Sequence, residues 1–255
     1  MDFTILTVII YLILQMLIVW GIASLIKNPS IVDVFWSVGL TVSGLIYLFS
    51  NDLNQRIILI SLILIIWGSR LAGYLLLSRI LQNKTDKRYS ELSENFKIKK
   101  PLGFLLNFQL QGLFIFIISF SFYFIAKEPN LEFNYVDYIA ILFCFVGVFG
   151  ETLADKQLTY FKKQKTGTVC NIGLWNYTRH PNYFFDWLTW CGFMVFALRT
   201  EYGFIAIVSP LTLYLIMTKI TGPMTEDGSI KSKGEAYLTY QKNTNMFFPW
   251  LNKGI

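Results

Sequence analysis

Histidine, cysteine and charge are all scarce in this chain. Its 255 residues include one histidine, three cysteines and only 15% charged residues. Cys144, Cys170 and Cys191 stand apart, without CxxC spacing and without a cluster of histidines. The pattern therefore argues against a disulfide framework and against a bound metal. A Gly-rich GxGxxG turn is also missing from the sequence, so a Rossmann domain is not predicted.

Apolar residues are abundant instead. They make up 54% of the chain, 23 residues are phenylalanine, and the mean hydropathy is +0.49. Soluble domains carry about 25% charged residues, so this composition excludes an ordinary soluble domain, a disordered chain and a coiled coil. It predicts an all-α, multi-pass integral membrane protein in contact with membrane lipids. Because no repeat or linker divides the sequence, we expect a single domain over residues 1–255.

Seven apolar segments have roughly the length that crosses a bilayer. They are Phe3–Ile26, Val32–Ser50, Ile57–Leu77, Leu102–Ile125, Tyr135–Gly150, Phe184–Leu198 and Gly203–Ile220. The fifth and sixth are short, so they are expected to extend into polar flanks, to tilt or to be partly re-entrant. The first lacks a basic start and a cleavage site, which favours a retained span over a signal peptide.

The net charge of +6 is distributed unevenly over the loops. With the N-terminus outside, 18 of the 22 basic residues fall in loops 27–31, 78–101 and 151–183 and in the tail from Lys219. This asymmetry is what the positive-inside rule expects, and it predicts a cytosolic C-terminus. Topology thus accounts for most of the positive excess, and a nucleic-acid partner is not expected.

Two polar features of the spans and loops have simple interpretations. The run from Lys97 to Lys100 indicates contact with anionic lipid headgroups. Gln109 and Gln111 stand two residues apart, so their side chains point in different directions, and hydrogen bonding between helices is the expected role of both.

Other polar residues stand where a membrane span would not normally carry them. Three pairs share a helix face because their members are four residues apart. The pairs are Arg70 and Tyr74, Glu151 and Asp155, and Asn182 and Asp186. They lie near the predicted cytosolic ends of three spans, so they are candidates for one pocket between helices.

Structural roles for the same residues are left open. Arg70 could pair with Asp33, which opens the second span, simply to let both charges sit in the membrane. Glu151 and Asp155 could mark a solvated helix end. These alternatives predict no ligand at all.

The segment Gly173–Tyr183, GLWNYTRHPNY, is the densest in polar and aromatic side chains. A guanidinium such as that of Arg179 can bind phosphate through two parallel N–H bonds. A helix that begins at Pro181 would add backbone N–H donors and the positive end of its dipole. His180 is expected to form hydrogen bonds rather than bind a metal. The alternative is an aromatic and basic belt at the membrane interface.

This segment, followed by an acid at Asp186, resembles the C-terminal domain of the steroid 5-alpha-reductase superfamily, and most closely its little-characterised bacterial-type branch. The resemblance covers most of the chain through an ordered set of motifs. The set comprises Asp33 and Trp36, Trp67, Arg70 and Leu71, Asp86, Arg88 and Tyr89, Gln109, Glu151, Ala154, Asp155 and Gln157, Ser209-Pro210, Gly222-Pro223, Glu226, Tyr237, Tyr240 and Phe248-Pro249-Trp250.

The resemblance implies a seven-span reductase that binds NADPH from the cytosolic side and reduces a carbon–carbon double bond in a lipophilic substrate. It implies a cofactor-binding core at about 135–255, and Asp33 as the acid that meets the substrate. The residues predicted to contact NADPH are Arg70, Tyr74, Glu151, Asp155, Arg179, His180, Asn182, Tyr183, Asp186 and Tyr240.

Two departures from the superfamily pattern bear on the substrate. Trp67, which has no hydroxyl, stands where steroid reductases carry a tyrosine beside the acid. Phe185-Asp186 replaces the usual Gly-Glu, which adds bulk and shortens the acid by one methylene. Two other functions therefore stay open. One is an S-adenosylmethionine-dependent membrane methyltransferase, since isoprenylcysteine carboxyl methyltransferases resemble the same core. The other is a non-catalytic lipid- or sterol-binding protein.

Overall fold

A computed structural model describes residues 2–128, 131–164 and 168–251. Helices and loops make up these described ranges, and no β-strand occurs within them. Ten α-helices follow one another along the described chain. They are α1 (Phe3–Ile26), α2 (Ile31–Leu48), α3 (Gln55–Leu75), α4 (Lys87–Glu94), α5 (Lys100–Lys127), α6 (Tyr135–Lys163), α7 (Pro181–Ala197), α8 (Val208–Leu215), α9 (Gly222–Lys233) and α10 (Glu235–Asn243).

The long helices confirm an all-α, multi-pass integral membrane protein. Within the described ranges, six helical stretches are long and apolar enough to cross a bilayer. The predicted sixth span is helix α7, which has 17 residues and is shorter than those six. The predicted fifth span continues well past Gly150 to Lys163, as its polar flank allowed. The structure thus has six long apolar stretches within the described ranges, and the shorter α7 corresponds to the remaining one of the seven predicted spans.

Two π-helical turns interrupt the regular helices. One spans Leu76–Ile80 at the end of α3, and the other spans Ile216–Thr221 between α8 and α9. Such turns insert one residue and rotate the side chains that follow, and they are frequent at functional sites. The first turn carries Arg79, whose partners are described below.

Helix ends in the N-terminal half follow ordinary capping chemistry. Asp2 accepts a hydrogen bond from the Thr4 amide, and Asn54 accepts one of 2.8 Å from the Ile57 amide. Each side chain satisfies a backbone donor that has no partner inside the helix. Helix α1 ends at Ile26, and the left-handed backbone of the next residue, Lys27, turns the chain toward α2.

Contacts divide the chain into two compact units. The first unit, residues 1–134 and 196–209, is built around α2, which packs against α1, α3 and α5. Its interior polar links include Ser121 and Ser209, whose hydroxyls are 2.6 Å apart, and Arg56, which donates to the Phe196 carbonyl at 2.7 Å.

The second unit, residues 135–195 and 210–255, contains α6, α7, α9 and α10. This unit therefore lies within the segment 135–255, which the resemblance predicts to be the cofactor-binding core. The single domain predicted over residues 1–255 stays a prediction beside this division.

Candidate functional site

Helices α6 and α7 approach each other closely in the second unit. A Cβ atom added at Gly147 would lie 2.7 Å from the Phe185 carbonyl oxygen, and one added at Gly150 would lie 2.3 Å from the Phe185 ring. Real Cβ contacts are not this short, so both positions need glycine. The bulky Phe185, which departs from the superfamily pattern, thus packs against Gly150.

Three carboxyl groups are buried in this unit. Glu151 and Asp155 are 3% and 4% exposed on α6, and Asp186 is 7% exposed on α7. The helix continues past both α6 acids, so they share one face as predicted. The alternative of a solvated helix end is wrong, because both side chains are shielded by the fold. Acids held in such surroundings need hydrogen-bond donors or cations.

Helix α7 begins at Pro181, as the sequence predicted, and places Asn182 and Asp186 one turn apart. The Asn182 carboxamide oxygen is buried and has no hydrogen-bond partner among the described residues. An unsatisfied buried acceptor costs free energy, about 1–3 kcal/mol. A ligand that offers an N–H or O–H group to Asn182 would remove this cost. The start of α7 is therefore suited to a hydrogen-bonding ligand.

Arg179 lies deep within the second unit and is bound by protein groups. Its Nε and Nη2 donate to the two Glu226 carboxylate oxygens at 2.6 and 3.1 Å. Its Nη1 donates to the carbonyl oxygens of Gln241 and Thr244. This guanidinium joins the loop before α7 to α9 and to the end of α10. The predicted contact with a cofactor phosphate stays a prediction, and it would compete with these bonds.

His180 and Tyr183 belong to the same arrangement. The His180 Nε2 atom lies 3.1 Å from Glu226 Oε1, and the imidazole stacks on the Tyr183 ring at 4.9 Å. Gln241 also donates to Glu226, at 2.6 Å. Glu226 thus organises three neighbouring side chains. The sequence included it in the ordered motif set but gave it no role, since no spacing rule links α9 to the loop before α7.

Tyr240 connects α10 to α6 through a tryptophan. Its hydroxyl donates to the Trp175 carbonyl, and the Trp175 indole donates to the Ala154 carbonyl at 3.0 Å. Burial raises the pKa of Tyr240 well above its usual range, so the hydroxyl stays protonated. Asp155 follows Ala154 directly. The chain of contacts therefore links one predicted cofactor residue, Tyr240, to the helix turn that carries another.

A polar cavity of about 330 Å³ lies beside α10. It is lined by Thr168, Val169, Asn171, Ala236, Thr239, Tyr240 and Asn243. Burial raises the pKa of the adjacent Cys170 thiol, while the ammonium groups of Lys233 and Lys162 act in the opposite direction. Lys233 and Lys162 thus act electrostatically on Cys170, which lies in sequence between two residues that line the cavity. Such surroundings suit a phosphorylated or hydroxyl-rich ligand.

Asp33 lies in an ion-pair cluster of the first unit. Its Oδ2 atom accepts from Arg79 and, at 3.0 Å, from Arg88, while Oδ1 accepts from the Tyr89 hydroxyl at 2.5 Å. Asp86 also pairs with both arginines. Burial opposes the ionisation of Asp86, but Arg88 and Arg79 outweigh it and lower its pKa to about 2. The partners of Asp33 thus come from the π-helical turn after α3 and from α4.

The sequence did not foresee this cluster. It offered Arg70 as a partner for Asp33, whereas the structure gives Asp33 the partners named above. The resemblance included Asp86, Arg88 and Tyr89 without assigning them a role. Trp67, which stands where steroid reductases have a tyrosine, is fully buried. A tyrosine hydroxyl still reaches Asp33, but it comes from α4.

Arg70 and Tyr74 lie one turn apart on α3, as predicted, and both are half-buried. They belong to the first unit with Asp33, whereas the other predicted cofactor residues belong to the second. Within that second unit the structure brings together Arg179, His180 and Tyr183. The single pocket proposed from the three polar pairs stays a prediction.

Comparison with known proteins places the chain in a family. A family model described as "Protein of unknown function (DUF1295)" matches residues 19–244. The chain belongs to this family. The family falls in the steroid 5-alpha-reductase-like group, which confirms the resemblance to that group.

One curated relative is 25% identical over 269 residues, covering 92% of this chain and 76% of its own length. It is the "Uncharacterized protein C594.04c" of Schizosaccharomyces pombe. No solved structure matches the chain significantly. The comparisons therefore establish the family and leave the activity to be argued from the residues.

Proposed function

We propose that this protein is a membrane-embedded, NADPH-dependent reductase of a carbon–carbon double bond in a lipophilic substrate. The observation that carries the proposal is the unpartnered carboxamide oxygen of Asn182, buried at the start of α7. It lies in the motif that resembles the cofactor segment of the steroid 5-alpha-reductase superfamily. Family membership supports this assignment, because the family falls in the same group.

The residues of the second unit fit a dinucleotide in their chemistry. The Asn182 oxygen accepts from an N–H or O–H group, and the carboxylates of Asp155 and Asp186 accept from ribose hydroxyls. The cavity beside α10 suits a phosphate-bearing end, since Lys162 and Lys233 act electrostatically on the adjacent Cys170. These residues would hold NADPH, and the bound cofactor would supply a hydride.

The protein would contribute placement, exclusion of water and a proton. Apolar helices around a site keep water from competing with the transfer. Asp33 is the proposed acid on the substrate side. In the structure its carboxylate accepts three hydrogen bonds, so it must first gain a proton or release a donor. Tyr89, which already donates to Asp33, holds the carboxylate in place.

A thermal shift measurement on detergent-purified protein tests the proposal. NADPH should raise the melting temperature, since a ligand that binds only the folded state stabilises it by about 2.7 kcal/mol at 100 times its Kd. NADH should give a smaller shift because it lacks the 2′-phosphate. A shift with S-adenosylmethionine instead of NADPH would establish the methyltransferase alternative. No shift with either would favour a binding protein without catalysis.

One observation gives the non-catalytic alternative its weight. Arg179 and Tyr240, both predicted to touch the cofactor, are bound by protein groups in the structure. Their contacts serve the fold whether or not a cofactor binds. Asn182 is the residue that distinguishes the two functions, because its buried oxygen finds no such partner within the described chain.

A further inference from the structure

Residues 247–251, with the sequence FFPWL, follow helix α10 and combine apolar character with exposure. We name these residues the aromatic segment. Phe248, Trp250 and Leu251 are 49%, 67% and 76% exposed, and residues 244–251 include no charged side chain. Contiguous exposed apolar side chains mark surfaces that contact a membrane or another protein. The aromatic segment therefore needs a partner that covers it.

The aromatic segment packs against side chains of membrane spans, all in the second unit. The ring centre of the buried Phe247 lies 5.0 Å from that of Tyr214 and 5.7 Å from that of Trp187. Phe248 contacts the same two rings, at 6.0 and 5.7 Å. Trp187 lies about 9 Å along the helix from the start of α7. Tyr214 belongs to the stretch Gly203–Lys233, which is long and apolar enough to cross a bilayer. The segment thus adjoins two spans near the end at which α7 begins.

The backbone of the aromatic segment is irregular, yet it has protein partners. The Trp250 amide donates to the Tyr177 carbonyl at 3.0 Å, and the Thr178 hydroxyl donates to the Phe247 carbonyl at 2.9 Å. Irregular backbone is tolerated beside lipid where its polar groups are satisfied. These bonds therefore allow the segment to lie at a membrane surface, and they tie it to the loop that leads into α7.

A groove of about 310 Å³ lies between the aromatic segment and this loop. It is lined by Tyr177, Pro249, Trp250 and Leu251, none of which is charged. Tryptophan and tyrosine concentrate at the boundary between membrane and water, because each joins an apolar ring to a polar N–H or O–H group. The composition of the groove is therefore that of a membrane interface.

We propose that the aromatic segment lies in the bilayer interface, at the surface where α7 begins, and that phospholipid acyl chains occupy its groove. Continuity with the span residues Trp187 and Tyr214 favours lipid over a soluble protein as the partner. Through its bonds to Tyr177 and Thr178, the anchored segment holds the loop before α7 in place. This role goes beyond the proposed function and does not depend on NADPH.

A fluorescent probe on the segment tests its location. The native cysteines are buried, so a thiol-reactive bimane should label the wild type little and Leu251→Cys readily. Ser232→Cys, at an exposed position near the end of α9, is the control. Both variants are placed in phosphatidylcholine nanodiscs. The quenchers are iodide in the water and a phosphatidylcholine with a nitroxide on its acyl chain near the headgroup.

The nitroxide lipid should quench the probe of Leu251→Cys strongly and that of Ser232→Cys little. Iodide should quench the probe of Leu251→Cys at least about threefold less than the control, because an interfacial segment is shielded from water. Two results would overturn the proposal. Quenching of Leu251→Cys by iodide alone would place the segment in water, and quenching by neither agent would show that protein covers it.

Hydrogen exchange in nanodiscs tests the effect on the loop. Trp250→Asp places a charge in the interface and should expel the segment, whereas Trp250→Phe keeps an aromatic ring. The Arg179 amide, which donates to the Asn245 carbonyl at 2.8 Å, should lose protection in Trp250→Asp and keep it in Trp250→Phe. Unchanged exchange in α6 checks that both variants are folded. Equal protection of residues 175–180 in Trp250→Asp and wild type would contradict the role in holding the loop. The NADPH shift tests the proposed function separately.

Discussion

Arg179 and Glu226 form a bidentate ion pair, in which Nε donates to Oε1 at 2.6 Å and Nη2 donates to Oε2 at 3.1 Å. Parallel bonds of this kind are strong and fix the plane of the guanidinium. Because Glu226 also accepts from Gln241 and contacts His180, one carboxylate sets the path of the loop that leads into α7.

Loss of the Glu226 charge should therefore destabilise the protein strongly. Glu226→Gln leaves the Arg179 guanidinium buried without its counter-ion, and breaking a buried pair typically costs about 3–5 kcal/mol. Asp227→Asn, the next residue along the same helix, is the control. Denaturant unfolding should show a large loss of stability for Glu226→Gln and little change for Asp227→Asn. Similar stabilities for both variants would contradict the role given to Glu226.

Because α6 and α7 are in close contact, replacing a glycine by alanine should destabilise the protein at Gly147 but not at Gly228. Gly147→Ala places a methyl group 2.7 Å from the Phe185 carbonyl oxygen, so the helices must separate. Overpacking of this kind costs about 1–3 kcal/mol. Gly228, within α9, has no atom within 4 Å of an added Cβ, and alanine there should stabilise the helix by up to about 1 kcal/mol. Melting temperatures that fall equally in both variants would argue against this packing.

Acidification should destabilise the segment 81–94, which contains α4. Asp86 has its pKa lowered to about 2 by Arg88 and Arg79. A lowered pKa contributes stability that is present above the unfolded value of 3.8 and is lost as the pH falls toward 2. Hydrogen exchange of residues 81–94, corrected for the intrinsic pH effect, should show protection falling over that range. In Asp86→Asn the protection should be lower at pH 6 and should change less between pH 4 and 2.

Asp33→Asn tests the proposed acid. The amide keeps the size of the side chain but removes the charge and the acidic proton. We expect NADPH binding to stay within about threefold of wild type, because the predicted cofactor core is in the second unit, while turnover of a substrate is lost. Normal turnover in Asp33→Asn would remove Asp33 from the chemistry. The NADPH shift in the same sample reports on whether the variant is folded.

The sequence predicted most of the fold because hydropathy depends on local composition. The membrane class, the helix from Pro181 and the continuation of α6 beyond Gly150 follow from apolar runs and helical spacing. The number of spans differs by one because α7, with 17 residues, is shorter than the six long apolar stretches. Segment ends were less predictable, because polar residues continue a helix once they have partners.

The candidate site was predicted less completely than the fold. Spacing identified residues on one helix face, such as Asn182 and Asp186, but ion pairs join residues far apart in sequence. Arg179 meets Glu226 across 47 positions, and Asp33 meets Tyr89 across 56. No local pattern encodes such pairs. Gln109 reaches α1 as predicted, and Gln111 links α5 to Tyr89 of α4 while it also donates to Asn107 of its own helix.

Direct NADPH binding to the wild type and to Asn182→Ala tests the central claim most directly. Asn95→Ala, an exposed amide of the first unit, is the control. The account predicts that NADPH quenches tryptophan fluorescence of wild type and Asn95→Ala with the same Kd, and that Asn182→Ala weakens binding at least about tenfold while melting no lower than wild type without ligand. Equal NADPH affinity in Asn182→Ala and wild type, or no NADPH binding by the wild type, would contradict it.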